Sequence, residues 1–480
     1  MSTLDVTADP SSLGFDPERL QRIDDHFAHY VDDGRLAGWQ VAVMRDGELA
    51  HHTTYGTRNL ETGDAWTADT IARMYSMTKP ITSVAAMILQ EAGHFQLKDP
   101  VSKFIPSFAD TPVYRSGSFR APVTEPQTEP MRIWHLLTHT SGLTYGFHNS
   151  HATDAIYREA GFEWGNPAGL DLEACCEAWA KLPLVFQPGS EWNYGVSTDV
   201  LGRVVEVISG QPLDVFLRER ILDPLGMVDT EFWVPTEKRD RFAELYFRNP
   251  STKQATKMPA PRLTSRPTML GGGGGLCGTA SDYLRFAQML LNRGELDGVR
   301  ILGSRTVDYM TRNHLPGHAD LEEYGRPLFA ETTFDGVGFG LGFSVVLDAA
   351  ANKSPSTEGS YSWGGAASTN FWTDPRARLP PLSPTPLPPP STPPHRPQLP
   401  QPAAQAPVAR SPRADPVAAG TQAEVHPQQA DDHRDDEHEP EEHADGPDDP
   451  PEQEVDHDCD DQPADHRREQ RSRSCRWRLG

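Results

Sequence analysis

The sequence predicts an α+β fold, in which helices flank an antiparallel sheet, a large helical insertion interrupts it, and a disordered tail follows. Three observations predict this. A helix is followed at once by a hairpin near the N-terminus, helical and loop-rich sequence fills residues 81–274, and strand character returns after residue 336. At roughly 150 residues per domain, 480 residues suggest about three units. The expected division is a discontinuous sheet domain at 15–80 and 275–376, a mainly helical domain at 81–274, and a Pro-rich, then acidic tail at 379–480.

The elements follow in order. Asp16 can cap and Pro17 can open a helix with Leu20, Ile23, Phe27 and Val31 on one face, stopped by Gly34. Trp39–Met44 and Leu49–Tyr55 flank Asp46-Gly47, the signature of a tight hairpin. A helix is expected over Thr78–Ala92, another over Val200–Ser209 closed by Gly210, and a third over Leu213–Leu222. Gly271–Gly275 precedes a helix at Ser281–Arg293; without a following Gly-Lys-Ser/Thr it reads as a flexible crossing between domains, not a phosphate loop. Val337–Leu347 and Ala366–Thr373 are expected as strands, joined by a turn rich in Ser and Gly.

Charge limits the partners. The net charge of −24 divides into −13 before Leu379 and −11 after it, so neither part offers the basic face that nucleic acid needs. No apolar stretch is long enough to span a bilayer, no signal peptide is visible, and five cysteines form no paired framework, so the expectation is cytoplasmic. No nucleic-acid or membrane partner is expected, and the oligomeric state is left open.

One short motif carries chemistry. Ser76-Met77-Thr78-Lys79 places a lysine one helical turn from a serine, and Pro80 fits only near a helix start. A bare serine is a poor nucleophile without a base beside it, and the positive end of a helix dipole favours the anion formed on attack. The alternative is a capping serine beside a solvated lysine. There is no Gly-x-Ser-x-Gly elbow, and no His-Glu-x-x-His. His135 and His139, at i and i+4, lack a carboxylate in their motif and read better as structural than as metal ligands. No metal or cofactor is expected.

Tyr75-Ser76-Met77-Thr78-Lys79-Pro80 resembles the nucleophile motif of the serine β-lactamase and penicillin-binding-protein superfamily. It is most similar to the class C β-lactamase relatives that include the family VIII carboxylesterases. Leu136–Leu143, Pro188–Tyr194, Asp223–Met227, Gly272–Gly275 and Trp363-Gly364-Gly365 resemble further family motifs in the family's order. The resemblance covers residues 15 to 376 and implies a β-lactamase-like fold. It implies Ser76 as nucleophile, Lys79 and Tyr194 sharing the proton transfers, and backbone N–H groups of Ser76 and of Ala366, on an edge strand, as the oxyanion hole. Trp363, Gly364 and Gly365 would contact substrate. Two departures from the lactamase pattern stand out. Val196 occupies the place of an Asn, and Trp363 that of a Lys whose cation would hold a β-lactam carboxylate. Both changes favour small neutral esters. The alternatives are a β-lactamase or D-aminopeptidase-type amidase with the same centre, or an inactive product.

The last alternative comes from the tail. Residues 379–480 hold 21 of the 44 prolines and no Lys, Asn, Ile, Met, Phe or Tyr, the residues whose codons carry A or T at both first positions. That is how GC-rich coding DNA reads out of frame, so a frame change is expected at about 376–379. The resemblance implies a further central strand and a C-terminal helix there. Without them, Ala366–Thr373 would be an unpaired edge, and Leu20, Ile23 and Phe27 would lose cover. His426–His466, rich in His, Asp and Glu, reads as a solvated acidic run with weak metal binding as the alternative.

Overall fold

The computed structural model describes residues 4–163, 167, 169–261, 263–326, 334–380, 382 and 383. All of them lie in one unit, Met1–Arg413. Helix α1 (Pro17–Asp32) starts as its sequence dictates: the Asp16 carboxylate accepts from the backbone N–H groups of Glu18 and Arg19, with Pro17 at the first position. Strands β1 (Gly38–Arg45) and β2 (Glu48–Asn59) form the expected hairpin. Asp46 and Gly47 both take positive φ, 55° and 84°, matching the turn that suits twisted strands. A short β3 (Asp64–Ala65) follows β2.

The returning chain departs from expectation at three places. Val337–Leu347 is not one strand but a hairpin of β4 (Val337–Phe339) and β5 (Ser344–Val346). Gly342 turns it at φ 97°, where a side chain would strike Ser83. Next come β6 (Tyr361–Gly364) and β7 (Asn370–Thr373). The strand expected from Ala366 therefore starts at Asn370, because Gly365 N–H bonds to the Thr369 carbonyl at 2.8 Å and closes a turn. Ala366 is exposed on that turn and not on an edge strand.

The third departure is β8 (Leu382–Ser383), which pairs with both β7 and β1. The sheet runs β4-β5-β6-β7-β8-β1-β2-β3, antiparallel throughout. Ala366–Thr373 does not present an unpaired edge, since Leu382 and Ser383 carry the amides that the surrounding prolines lack. Nor do Leu20, Ile23 and Phe27 lose cover. They are at most 1% exposed, packed with Phe15, Trp39, Val41, Tyr246 and Leu379. The expected disorder of the tail beyond Ser383, and any metal binding by His426–His466, lie outside the described residues.

Alternation along β1 separates two cores. Trp39, Val41 and Val43 face α1, while Ala42 faces the opposite layer with Phe371 and Leu382. That second layer holds α2 (Thr78–Glu91), buried at every residue from Thr78 to Leu89, and α4 (Ala280–Leu291). Between them in sequence, α3 (Ser197–Ser209) packs on α2, closing at Gly210 with φ 69°. The expected helix Leu213–Leu222 changes winding midway, α-helical to Leu217 and π-helical over Arg218–Leu222.

Leu382 is 2% exposed between two strands. Leu382→Ala should lower unfolding stability by about 2–5 kcal/mol, as for other buried leucines. A denaturant titration showing less than about 0.5 kcal/mol would mean that β8 is dispensable to the sheet.

Candidate active site

Ser76 stands on a strained approach. Tyr75 holds φ 46°, a conformation bulky residues rarely adopt, and Tyr75–Met77 forms one tight turn that runs directly into α2. Lys79 follows in the first turn of α2 and is only 1% exposed. Its ammonium donates three hydrogen bonds: to Ser76 Oγ at 3.2 Å, to Tyr145 Oη at 3.0 Å and to the Gly273 carbonyl at 2.7 Å. An ammonium has three protons, and all three are used.

Gly271–Gly275 is thus neither a phosphate loop nor a flexible crossing. Gly272 and Gly273 are buried, and their successive carbonyls accept from Thr82 Oγ1 at 2.8 Å and from Lys79. A Cβ at Gly272 would lie 2.8 Å from the Thr198 carbonyl, and one at Gly275 2.7 Å from the Phe232 ring. The run is glycine because the backbone must pass between packed groups.

Tyr194 is placed by the central loop. Asn193 N–H bonds to the His139 carbonyl at 3.0 Å, and Asn193 Nδ2 donates to the Leu143 carbonyl at 3.0 Å. His148 Nε2 meets the Tyr194 carbonyl at 2.6 Å. Gly195 is required here, since a Cβ would strike the Leu143 carbonyl. The Tyr194 ring lies with its centroid 4.5 Å from Lys79 Nζ, and its hydroxyl accepts from Trp363 Nε1 at 3.3 Å. The hydroxyl that bonds Lys79 is instead that of Tyr145, a residue the sequence reading missed. Tyr145 follows Leu143 by two positions, so proximity to a matched motif was the available signal. Burial, with Asp199 and Tyr194 nearby, pushes the Tyr145 phenol well above its usual range.

Trp363 packs on Tyr194 and Phe339, with ring centroids 5.4 and 5.3 Å apart. Gly364 ends β6, and Gly365 lies so close to Met74 that a Cβ would collide with its carbonyl. The Trp-Gly-Gly motif therefore abuts the segment that carries Ser76. Ala366 is one residue beyond this contact. Val196 is buried in the main apolar core. His135 and His139 do not share one helical face, because the helix Ile133–Leu137 ends between them and His139 takes φ 57°. Burial drops the His135 pKa to about 4, and its Nδ1 accepts from the Arg132 N–H at 3.1 Å. The His139 ring packs on Trp192, Tyr194 and Phe339, and burial takes its pKa well below the usual range.

A family model, Beta-lactamase, matches residues 23–380. Protein Rv1367c of Mycobacterium tuberculosis is 36% identical over 352 residues, 72% of this chain and 85% of that protein. Esterase EstB of Burkholderia gladioli is 31% identical over 389 residues, 77% of this chain and 91% of its own length. Among solved structures, EstCE1, described as a hydrolase with promiscuous acyltransferase activity, superposes with a TM-score of 0.68 at 26% identity, covering 83% of this chain and 98% of that one.

Two substitutions separate the tyrosines. If both hydroxyls serve the reaction, Tyr145→Phe and Tyr194→Phe each reduce kcat by about 10²-fold or more, the scale of one acid–base group. A variant that keeps kcat within a few-fold of wild type marks its tyrosine as packing alone.

Proposed function

The chain belongs to the beta-lactamase family, and from that membership we propose that it is a serine carboxylesterase acting on small neutral esters. In this reading the Lys79, Tyr145 and Tyr194 group has first released one proton to solvent, and Ser76 Oγ attacks the ester carbonyl as its own proton passes into the place left. The tetrahedral oxyanion is held by backbone N–H groups of Ser76 and Ala366, a kind of contact whose loss typically slows acyl transfer by ~10²–10³-fold. The proton then moves to the leaving alkoxide, leaving an acyl-enzyme on Ser76. Water attacks that ester, the same group takes its proton, and Ser76 is released with the carboxylic acid. No cofactor enters this scheme.

The observation that carries the ester reading is the indole of Trp363. It donates to Tyr194 and packs on Phe339, where the lactamase pattern has a lysine. Val196, where that pattern has an amide, is turned into the core. Both changes remove handles for an anionic β-lactam, and the likeness to EstB supports the same choice. Among the described residues no helix is long and apolar enough to cross a membrane. A cytoplasmic location remains part of the proposal, supported by buried free thiols at Cys175, Cys176 and Cys277.

Hydrolysis of p-nitrophenyl butyrate should exceed that of nitrocefin by orders of magnitude in kcat/KM. Faster turnover of nitrocefin overturns the ester reading and favours a lactamase. Fluorophosphonate should label wild type and leave Ser76→Ala unlabelled; equal labelling of both would assign the nucleophile elsewhere. Trp363→Lys should lower KM for carboxylate-bearing esters by about tenfold, the effect of roughly one charge-assisted contact. No gain on any anionic ester would place Trp363 away from the substrate.

A further inference from the structure

One carboxylate is buried beside the reacting lysine with no ion-pair partner among the described residues. Asp199, in the first turn of α3, accepts from the Gly273 N–H at 2.9 Å. The same peptide segment presents the Gly273 carbonyl to Lys79 at 2.7 Å. The glycine run is fitted round this carboxylate: a Cβ at Gly273 would collide with Asp199 Oδ2, and one at Gly271 would lie 3.3 Å from Oδ1. The cation that faces it is Lys79, whose attraction and the Gly273 N–H oppose the burial that raises the Asp199 pKa. Tyr145 from the central loop, and Cys175 and Cys176 from the helix Leu172–Trp179, also feel its charge.

We propose that Asp199 is a positioning residue for the active site, acting through Gly273 to hold Lys79 in register with Ser76 and Tyr145. The inference rests on the serine-hydrolase reading and adds to it. A hydrogen bond from an N–H to a carboxylate is short and strong, so the Gly273 peptide is fixed in orientation. Its carbonyl then points at one place, and the lysine that must meet Ser76 Oγ meets it there. Thr82, one turn along α2, bonds the neighbouring Gly272 carbonyl and fixes the same segment from the other side. The charge matters as well as the bond: the anion helps to raise the Tyr145 phenol, so without it that titration moves to lower pH.

The test uses the full chain, with Asp199→Asn, Asp199→Ala, Gly273→Ala and the double alanine variant. Rates on p-nitrophenyl butyrate are expressed per active site, counted by the endpoint of fluorophosphonate labelling, so that partial misfolding is removed. Asp199→Asn, nearly isosteric, should lower kcat at least about tenfold with KM within about twofold, slow the labelling of Ser76 in step, and shift the pH–rate profile to lower pH. Gly273→Ala should match Asp199→Ala, and the double variant should be no worse than either, as for residues in one chain of contacts. The proposal is overturned by an Asp199→Asn enzyme whose kcat, KM and pH profile stay within twofold of wild type. It is equally overturned by a lower melting temperature with per-site kcat unchanged, or by additive losses in the double variant. A wild type that neither labels nor hydrolyses any ester is a separate result, which removes the serine-hydrolase reading itself.

Discussion

An ammonium group taken out of water must give each proton to an acceptor, and Lys79 sets the geometry of this molecule by doing so. Its three acceptors belong to separate parts of the chain: the tight turn at Ser76, the central loop at Tyr145 and the glycine run at Gly273. Bringing them together requires α2 to be buried on all sides. It also requires α3 to pack close enough for Asp199 and Thr198 to touch the glycines. The polar contacts that lock the central loop, from Asn193 to Leu143 and from Ser141 Oγ to Ser197 Oγ at 2.8 Å, hold the same arrangement one layer further out.

Around that charge the site is aromatic. Tyr145 stacks on Phe147 with centroids 4.8 Å apart, and Tyr194, Trp192, Trp363 and Phe339 form a continuous patch of rings. Rings present negative faces, so Lys79 Nζ is also attracted to the Tyr194 ring. A surface of this kind offers a substrate shape and apolar area.

Local signals in the sequence reported local structure well. Asp16-Pro17 marks the start of α1, Asp46-Gly47 the first hairpin, and Pro80 the helix that displays Ser76 and Lys79. What was not legible depends on contacts between distant residues. Val337–Leu347 reads as one strand because its flanks are equally β-prone; the turn at Gly342 is set by a close approach to Ser83. Leu382–Ser383 is hidden among prolines, and its pairing depends on strands already assembled on both sides. The partners of Lys79 lie 66 and 194 residues further along the chain, beyond the reach of any spacing rule. Asp199 escaped notice for the same reason, as a single acid at a helix start usually serves the dipole.

The pairing of Ala42 with Leu382 joins strands about 340 residues apart in the middle of the sheet. At a synthesis rate of about 5–20 residues per second, tens of seconds separate the emergence of the two. Throughout that interval β1 has one open edge, with a row of backbone N–H and C=O groups awaiting a neighbour. The hairpin of β1 and β2, the earliest sheet element to form, is thus also the one longest exposed to mispairing with another chain. The time for which that edge needs shielding is set by how long Leu382 takes to follow Ala42 out of the ribosome.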